Sequence, residues 1–271
     1  MLVIALQFYT GDWFRAMKLA RLLADLERRR RDDVCLLFVR TTECPVTRVL
    51  EDAIARCSDV FHVESLVIRP DTPERRERWD RLGRWPVGCN VLWQGAVEYF
   101  LRSMDPYWTS IFTLDGGDGV PLHRDWLDVL LEDHARTVAA GLGVTGWVSP
   151  DSLGRWHVNL NQVTERSLFD AHPVLLEMPA GDHEWEPIDG HRAGLFMPAC
   201  RASTVILSTW RHVGATQADF AEVARDSAWW HGCKDGDLVG KARAFILGRD
   251  HGRPRPRDLG RAVSLAGEVS P

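Results

Sequence analysis

Met1–Tyr9 reads MLVIALQFY, a continuous apolar run that stops at Thr10, Gly11 and Asp12. A short run without polar alternation is the pattern of a strand covered on both faces, and such strands belong to parallel sheets flanked by helices. Outward from it, residues 13–30 set Phe14, Met17, Leu19, Ala20, Leu22, Leu23 and Leu26 at helical spacing, with Asp12 as the expected N-cap. Residues 33–40 (DVCLLFVR) form a second buried strand, 46–57 a second helix and 59–64 (DVFHVE) a short third strand. This β-α-β-α-β order predicts a mostly parallel sheet with right-handed crossovers.

Farther along, residues 69–86 are polar and Arg-rich and suit a loop or short helix lying over the sheet. Residues 89–103 make an amphipathic helix, 107–114 (YWTSIFTL) a strand, and 125–136 another helix. From about residue 140 the texture changes: strands are expected at 144–149, 156–163 and 204–210, and a helix at 219–228. The reading is one domain over 1–248, with halves 1–140 and 141–248, the second of mixed texture. Over 249–261 five Arg stand against Asp250 and Asp258, so 249–271 reads as a flexible Arg/Pro-rich tail.

With 271 residues, 45% hydrophobic and 26% charged, the chain has ample apolar content to bury, which excludes disorder for its body. No apolar run reaches the roughly 18 residues needed to span a bilayer. The opening run has no basic flank, so it reads as a strand and not as a signal peptide. A net charge of −5 argues against a protein that coats nucleic acid non-specifically. Six cysteines without a Cys-x-x-Cys pair argue against a disulfide framework or a structural zinc site and favour a reducing cytoplasm. Twelve Trp leave room for flat aromatic surfaces that stack on sugars or bases.

Residues 114–122 (LDGGDGVPL) carry the strongest chemical signal. An apolar strand delivers Asp115 and Asp118 into a glycine-rich turn at its carboxyl end, where open α/β sheets bind ligands. Two carboxylates there suit a hard divalent cation that in turn holds phosphate; the same residues also suit a plain tight turn. A second polar glycine turn, residues 231–237 (HGCKDGD), offers His231 to a metal and Lys234 to a diphosphate leaving group. In residues 181–186 (GDHEWE), Asp182 or Glu184 is an available general base beside Trp185. In residues 156–161 (WHVNLN), His157, Asn159 and Asn161 share one strand face and suit hydroxyl recognition.

In that order and spacing, these motifs resemble the GT-A fold glycosyltransferases over about residues 1–248. The resemblance rests on the first strand and its loop (LQFYTGD, 6–12), on Gly-Cys-Asn-x-x-Trp at 88–93, on DGGDGVPL, on HVNLN, and on Trp-Trp-His-Gly-Cys-Lys-Asp-Gly at 229–236. It implies an α/β, Rossmann-like fold with a mostly parallel sheet flanked by helices and a mixed acceptor-side half. Also implied is a divalent cation, Mn²⁺ or Mg²⁺, held by Asp118 with Asp115 and by His231. Gln7, Phe8, Tyr9, Asp12, Asn90, Trp93 and Asp115 would face the nucleotide-sugar donor, a UDP-sugar in the first instance. Lys234 would meet the departing diphosphate, and Asp182 or Glu184 would take the acceptor proton if the reaction inverts configuration. His157, Asn159, Asn161 and Trp185 would meet the acceptor. Two departures stand out: the acidic motif is Asp-x-x-Asp, and Leu160 occupies a position where the related segment carries Gly. Short GT-A proteins of bacteriophages, some of which modify hydroxymethylated pyrimidines in DNA, extend the expected acceptors to DNA; a glycan or small molecule is the alternative. Rival classes are a nucleotidyltransferase, disfavoured because the early loop lacks a basic residue before Arg15, and a non-catalytic sugar- or nucleic-acid-binding module.

Overall fold

A computed structural model describes residues 1–69, 87–150, 156–176, 196–211, 214–233 and 235–248, together with Pro254. The opening run is strand β1 (Leu2–Phe8), buried at every residue. It lies between β2 (Arg31–Thr41) and β4 (Ser110–Asp115), parallel to both. Helix α1 (Trp13–Leu26) stops short of the expected Arg30, because Glu27–Arg30 offers no apolar side chain and the chain turns extended at Glu27. Helix α2 (Arg48–Ser58) starts at Thr47, whose hydroxyl accepts the Leu50 amide at 3.3 Å. Strand β3 (Phe61–Ile68) pairs parallel with β2 and forms one edge of the sheet.

Helix α3 (Val87–Arg102) covers one sheet face. After β4 come the short β5 (Gly119–Pro121), α4 (Trp126–Ala139), β6 (Val144–Pro150), β7 (Trp156–Glu165) and α5 (Arg166–Ala171). The described residues continue with β8 (Cys200–Ala202), β9 (Ile206–Arg211), α6 (Gln217–Val223), β10 (Trp229–Cys233) and α7 (Leu238–Gly248). Seven strands form one mostly parallel sheet in the order β3-β2-β1-β4-β7-β6-β8, with β7 antiparallel to both its neighbours. It therefore takes strands from both sides of residue 140. A second sheet has the order β5-β10-β9.

Alternation along β1 feeds two cores. Leu2, Ile4, Leu6 and Phe8 face α1, α2, α4 and α7, while Val3 and Ala5 face α3. Trp229 packs on Phe112 and Trp126, at ring separations of 5.4 and 5.2 Å, and Trp230 packs on Phe220 at 5.3 Å. Trp93, Trp126, Trp229 and Trp230 are fully buried, so these four of the twelve Trp fill core and make no flat stacking surface. No helix among the described residues is long and apolar enough to cross a membrane.

The helix expected at 219–228 is shorter. Thr216 and Asp219 form a reciprocal capping box that sets its start, and it ends at Val223. Ala228 then bonds the Val205 carbonyl at 2.8 Å, and Trp229–Cys233 becomes a strand and not a turn.

Candidate functional site

Strands β1 and β4 end together, with Gln7 opposite Asp115. Beyond their carboxyl ends two turns press against each other. The Tyr9 amide donates to Asp12 Oδ1 at 2.8 Å, and the Trp13 amide donates to the Tyr9 carbonyl at 3.0 Å. Asp12 thus stands at the N-cap position of α1, but its carboxylate reaches back to Tyr9 and not forward to the first helical turn, which corrects the expected cap bond. That carboxylate lies over Gly116: a Cβ there would sit 2.5 Å from Asp12 Oδ2, so a side chain would push the Asp12 carboxylate from its place. Gly117 has φ +105, a left-handed conformation that other residues rarely adopt. The bend is therefore shaped by glycine to fit against α1.

Arg15, just inside α1, places Nη1 3.3 Å from Asp118 Oδ1, with 30% and 15% of the two side chains exposed. The Asp118 carbonyl accepts the Gly232 amide at 3.0 Å. Next along the chain, β5 runs antiparallel to β10, pairing Gly119 with His231 and Val120 with Trp230. His231 is buried, and its Nδ1 shares a 3.0 Å hydrogen bond with Ser208 Oγ on β9, which fixes the rotation of the ring. The acidic glycine bend and the late histidine segment are thus neighbours in space. Their backbones adjoin, while the Asp118 carboxylate meets Arg15 and the His231 ring meets Ser208; carboxylate and imidazole are donor types that suit Mn²⁺ or Mg²⁺.

Solved structures similar in fold to this chain include two of LgtC. One is of an active-site mutant, with TM-score 0.53, 11% identity, and 99% of this chain and 97% of that chain covered. The other is the galactosyltransferase LgtC with donor and acceptor sugar analogues, with TM-score 0.51, 10% identity and the same coverage. The fold is GT-A. No family model and no curated protein sequence matches the chain.

Within this GT-A frame the expected site residues divide. Tyr9, Asp12, Asp118 and His231 lie around the junction of the two sheets, and Gln7 is buried at the end of β1. Half-buried Tyr9 has its hydroxyl pKa pushed up, by burial first and then by Asp12 and the Cys89 thiol of α3, so it remains a donor at neutral pH. Phe8 and Trp93, expected at the nucleoside, are core side chains: Phe8 meets Phe38 edge-on, and Trp93 packs on Phe169 and Phe196. Asn161, expected at the acceptor, is fully buried, and its Oδ1 accepts the Trp229 indole N–H at 3.1 Å beneath Gly119. It supports the β5 strand from inside.

For Asn90, Asp115, His157 and Asn159 the backbone alone is described: Asn90 in α3, Asp115 at the end of β4, His157 and Asn159 in β7. Asp182, Glu184, Trp185 and Lys234 lie outside the described residues, as do the Arg-rich stretch 70–86 and the tail apart from Pro254. Two residues escaped the sequence reading, Arg15 and Ser208. Arg15 had a local signal, three residues after Asp12 on a new helix; Ser208 had none, because its partner lies on a strand paired from 23 residues away. A cavity of about 500 Å³ opens among Leu26, Arg28, Arg31, His123 and Asp128, at the start of β2 and so at the other end of the sheet from the bend.

Proposed function

We propose that the chain is a cation-dependent glycosyltransferase that moves a sugar from a nucleoside diphosphate, UDP in the first instance, onto a hydroxyl acceptor. The observation that supports this reading is the pairing of β5 with β10, which sets the Asp118 bend beside His231. Asp118, Asp115 and His231 would hold the cation, which when bound neutralises charge growing on the departing diphosphate. Ser208 keeps the His231 ring in one orientation, so that less ordering is required when ligand arrives. Arg15 holds the Asp118 carboxylate, and its guanidinium would turn toward a phosphate oxygen. Tyr9 and Gln7 close the end of β1, where the nucleoside would rest. Lys234, next in sequence after β10, would add a second positive charge on the diphosphate, and Asp182 or Glu184 would accept the acceptor proton in an inverting transfer.

Calorimetric titration with UDP, with and without Mn²⁺, tests the reading. Mn²⁺ should tighten UDP binding by at least about tenfold, and Asp118→Ala should abolish both that gain and sugar transfer while the circular dichroism spectrum is unchanged. UDP binding indifferent to Mn²⁺, or transfer retained in the folded variant, would overturn it.

A further inference from the structure

At the far edge of the seven-stranded sheet, well along the strands from the acidic bend, β2 and β3 bring together three metal-ligating side chains of different kinds. Parallel pairing sets Cys35 opposite His62 and Leu37 opposite Glu64, so Cys35, His62 and Glu64 project from the same face. Their ligand atoms all lie within 4.8 Å of one another. His62 Nε2 and Glu64 Oε1 are 3.2 Å apart, close to the separation of two ligands on one tetrahedral ion.

The surroundings hold these groups in place. Tyr99 on α3 donates its hydroxyl to the other carboxylate oxygen, Glu64 Oε2, at 2.7 Å. The His62 ring stacks on Trp108, with centroids 5.8 Å apart and planes 24° off parallel. The pairing of β2 with β3 is irregular between Arg31 and Cys35, and strand irregularities of this kind often re-aim a side chain. Cys35 is completely buried, while half of the His62 side chain is open to water. A cation would therefore have a dry thiolate below and solvent access above.

We propose that Cys35, His62 and Glu64 bind a thiophilic divalent cation, Zn²⁺, through three protein ligands, with a fourth position left to water. The ligand set separates it from the oxygen-rich bend at Asp118: thiolate and imidazole select zinc over magnesium or manganese. On binding, the Cys35 S–H bond breaks, a sulfur–metal bond forms and the proton passes to solvent; the His62 proton moves to Nδ1, which frees Nε2 for the ion. No electron is exchanged. The ion would cross-link the edge strand β3 to β2, a staple that the cysteine spacing in sequence does not announce.

Cobalt(II) reports this site directly, because thiolate ligation produces a charge-transfer absorption that oxygen and nitrogen ligands do not. The full chain is titrated with Co²⁺ in excess Mg²⁺, which occupies oxygen sites. One Co²⁺ per chain with a thiolate band is expected, displaced by Zn²⁺, abolished in Cys35→Ser and in His62→Ala, and weakened about tenfold in Tyr99→Phe. His62→Ala alters a half-exposed side chain and keeps the test valid if Cys35→Ser fails to fold. Absence of the band in the wild-type chain, or a band that persists in His62→Ala, overturns the proposal.

Discussion

Asp118 and Asp133 are both acids within this α/β frame, and each meets arginine, but they differ in burial. Asp133, on α4, is completely buried. Its Oδ1 accepts from Arg201, Arg136 and Thr204 at 2.9, 3.0 and 2.8 Å, and its Oδ2 from the Ser203 hydroxyl and the Thr204 amide at 2.7 and 3.1 Å. Burial alone would push its pKa up, but the hydrogen bonds from Ser203, Arg201, Thr204 and Arg136 outweigh it and hold the carboxyl below the usual range. Asp118 stays partly open to water, faces one guanidinium and is flanked by glycines. The first acid is satisfied by the protein and ties α4 to the β8–β9 connection. The second lies on the bend whose backbone meets β10. A buried acid with every oxygen served is a structural tie; the acid of the same type on the glycine bend is the one that the proposed function uses.

That contrast can be broken at either end. The largest expected effect is Asp133→Ala, which strands Arg201 without its counter-charge and should cost about 3–5 kcal/mol in urea unfolding; a loss below about 1 kcal/mol would remove the distinction. Acid should act on the same tie. Asp133 is held below its ordinary pKa, and so is Glu165, where hydrogen bonds from His134 and Ser110 outweigh burial. The unfolded chain then binds protons first as pH drops. The stabilisation is present above the ordinary carboxylate range and is lost as pH falls from about 5 through the depressed native values. Stability measured against pH should show this fall, and Asp133→Asn should flatten it. Smaller again, Ser208→Ala should weaken Mn²⁺ binding about tenfold by loosening His231, read by calorimetry. Smallest, Asp118→Ala should change unfolding free energy by less than about 1 kcal/mol, since its ion pair with Arg15 is near the surface.

The same line divides what was legible in the sequence from what was not. Strands β1 and β2 announce themselves because burial on both faces demands an unbroken apolar run, and the bend after β4 announces itself by Asp and Gly spacing. Trp229–Cys233 gives no such signal: five residues with one Gly show no periodicity, and the segment is a strand because β5 and β9 flank it. Helix α7 was readable and overlooked, since Leu238, Val239, Ala242, Phe245 and Ile246 recur at helical spacing. Phe8, Trp93 and Asn161 mark the opposite failure. Aromatic and amide side chains suit a ligand or a core equally well, and only the packing decides. The pairing of Cys35 with His62 lies beyond any local pattern, because parallel register joins residues that a crossover helix separates.

The junction of β5 and β10 has a bearing on how the protein is born. The acidic bend leaves the ribosome more than a hundred residues ahead of the imidazole that pairs beside it. A polypeptide interrupted just before residue 231 would carry all seven strands of the large sheet yet only half of the corner where β5 meets β10. Translation itself thus delays this corner until β10 has emerged, and fragments left by synthesis stalled earlier would lack it.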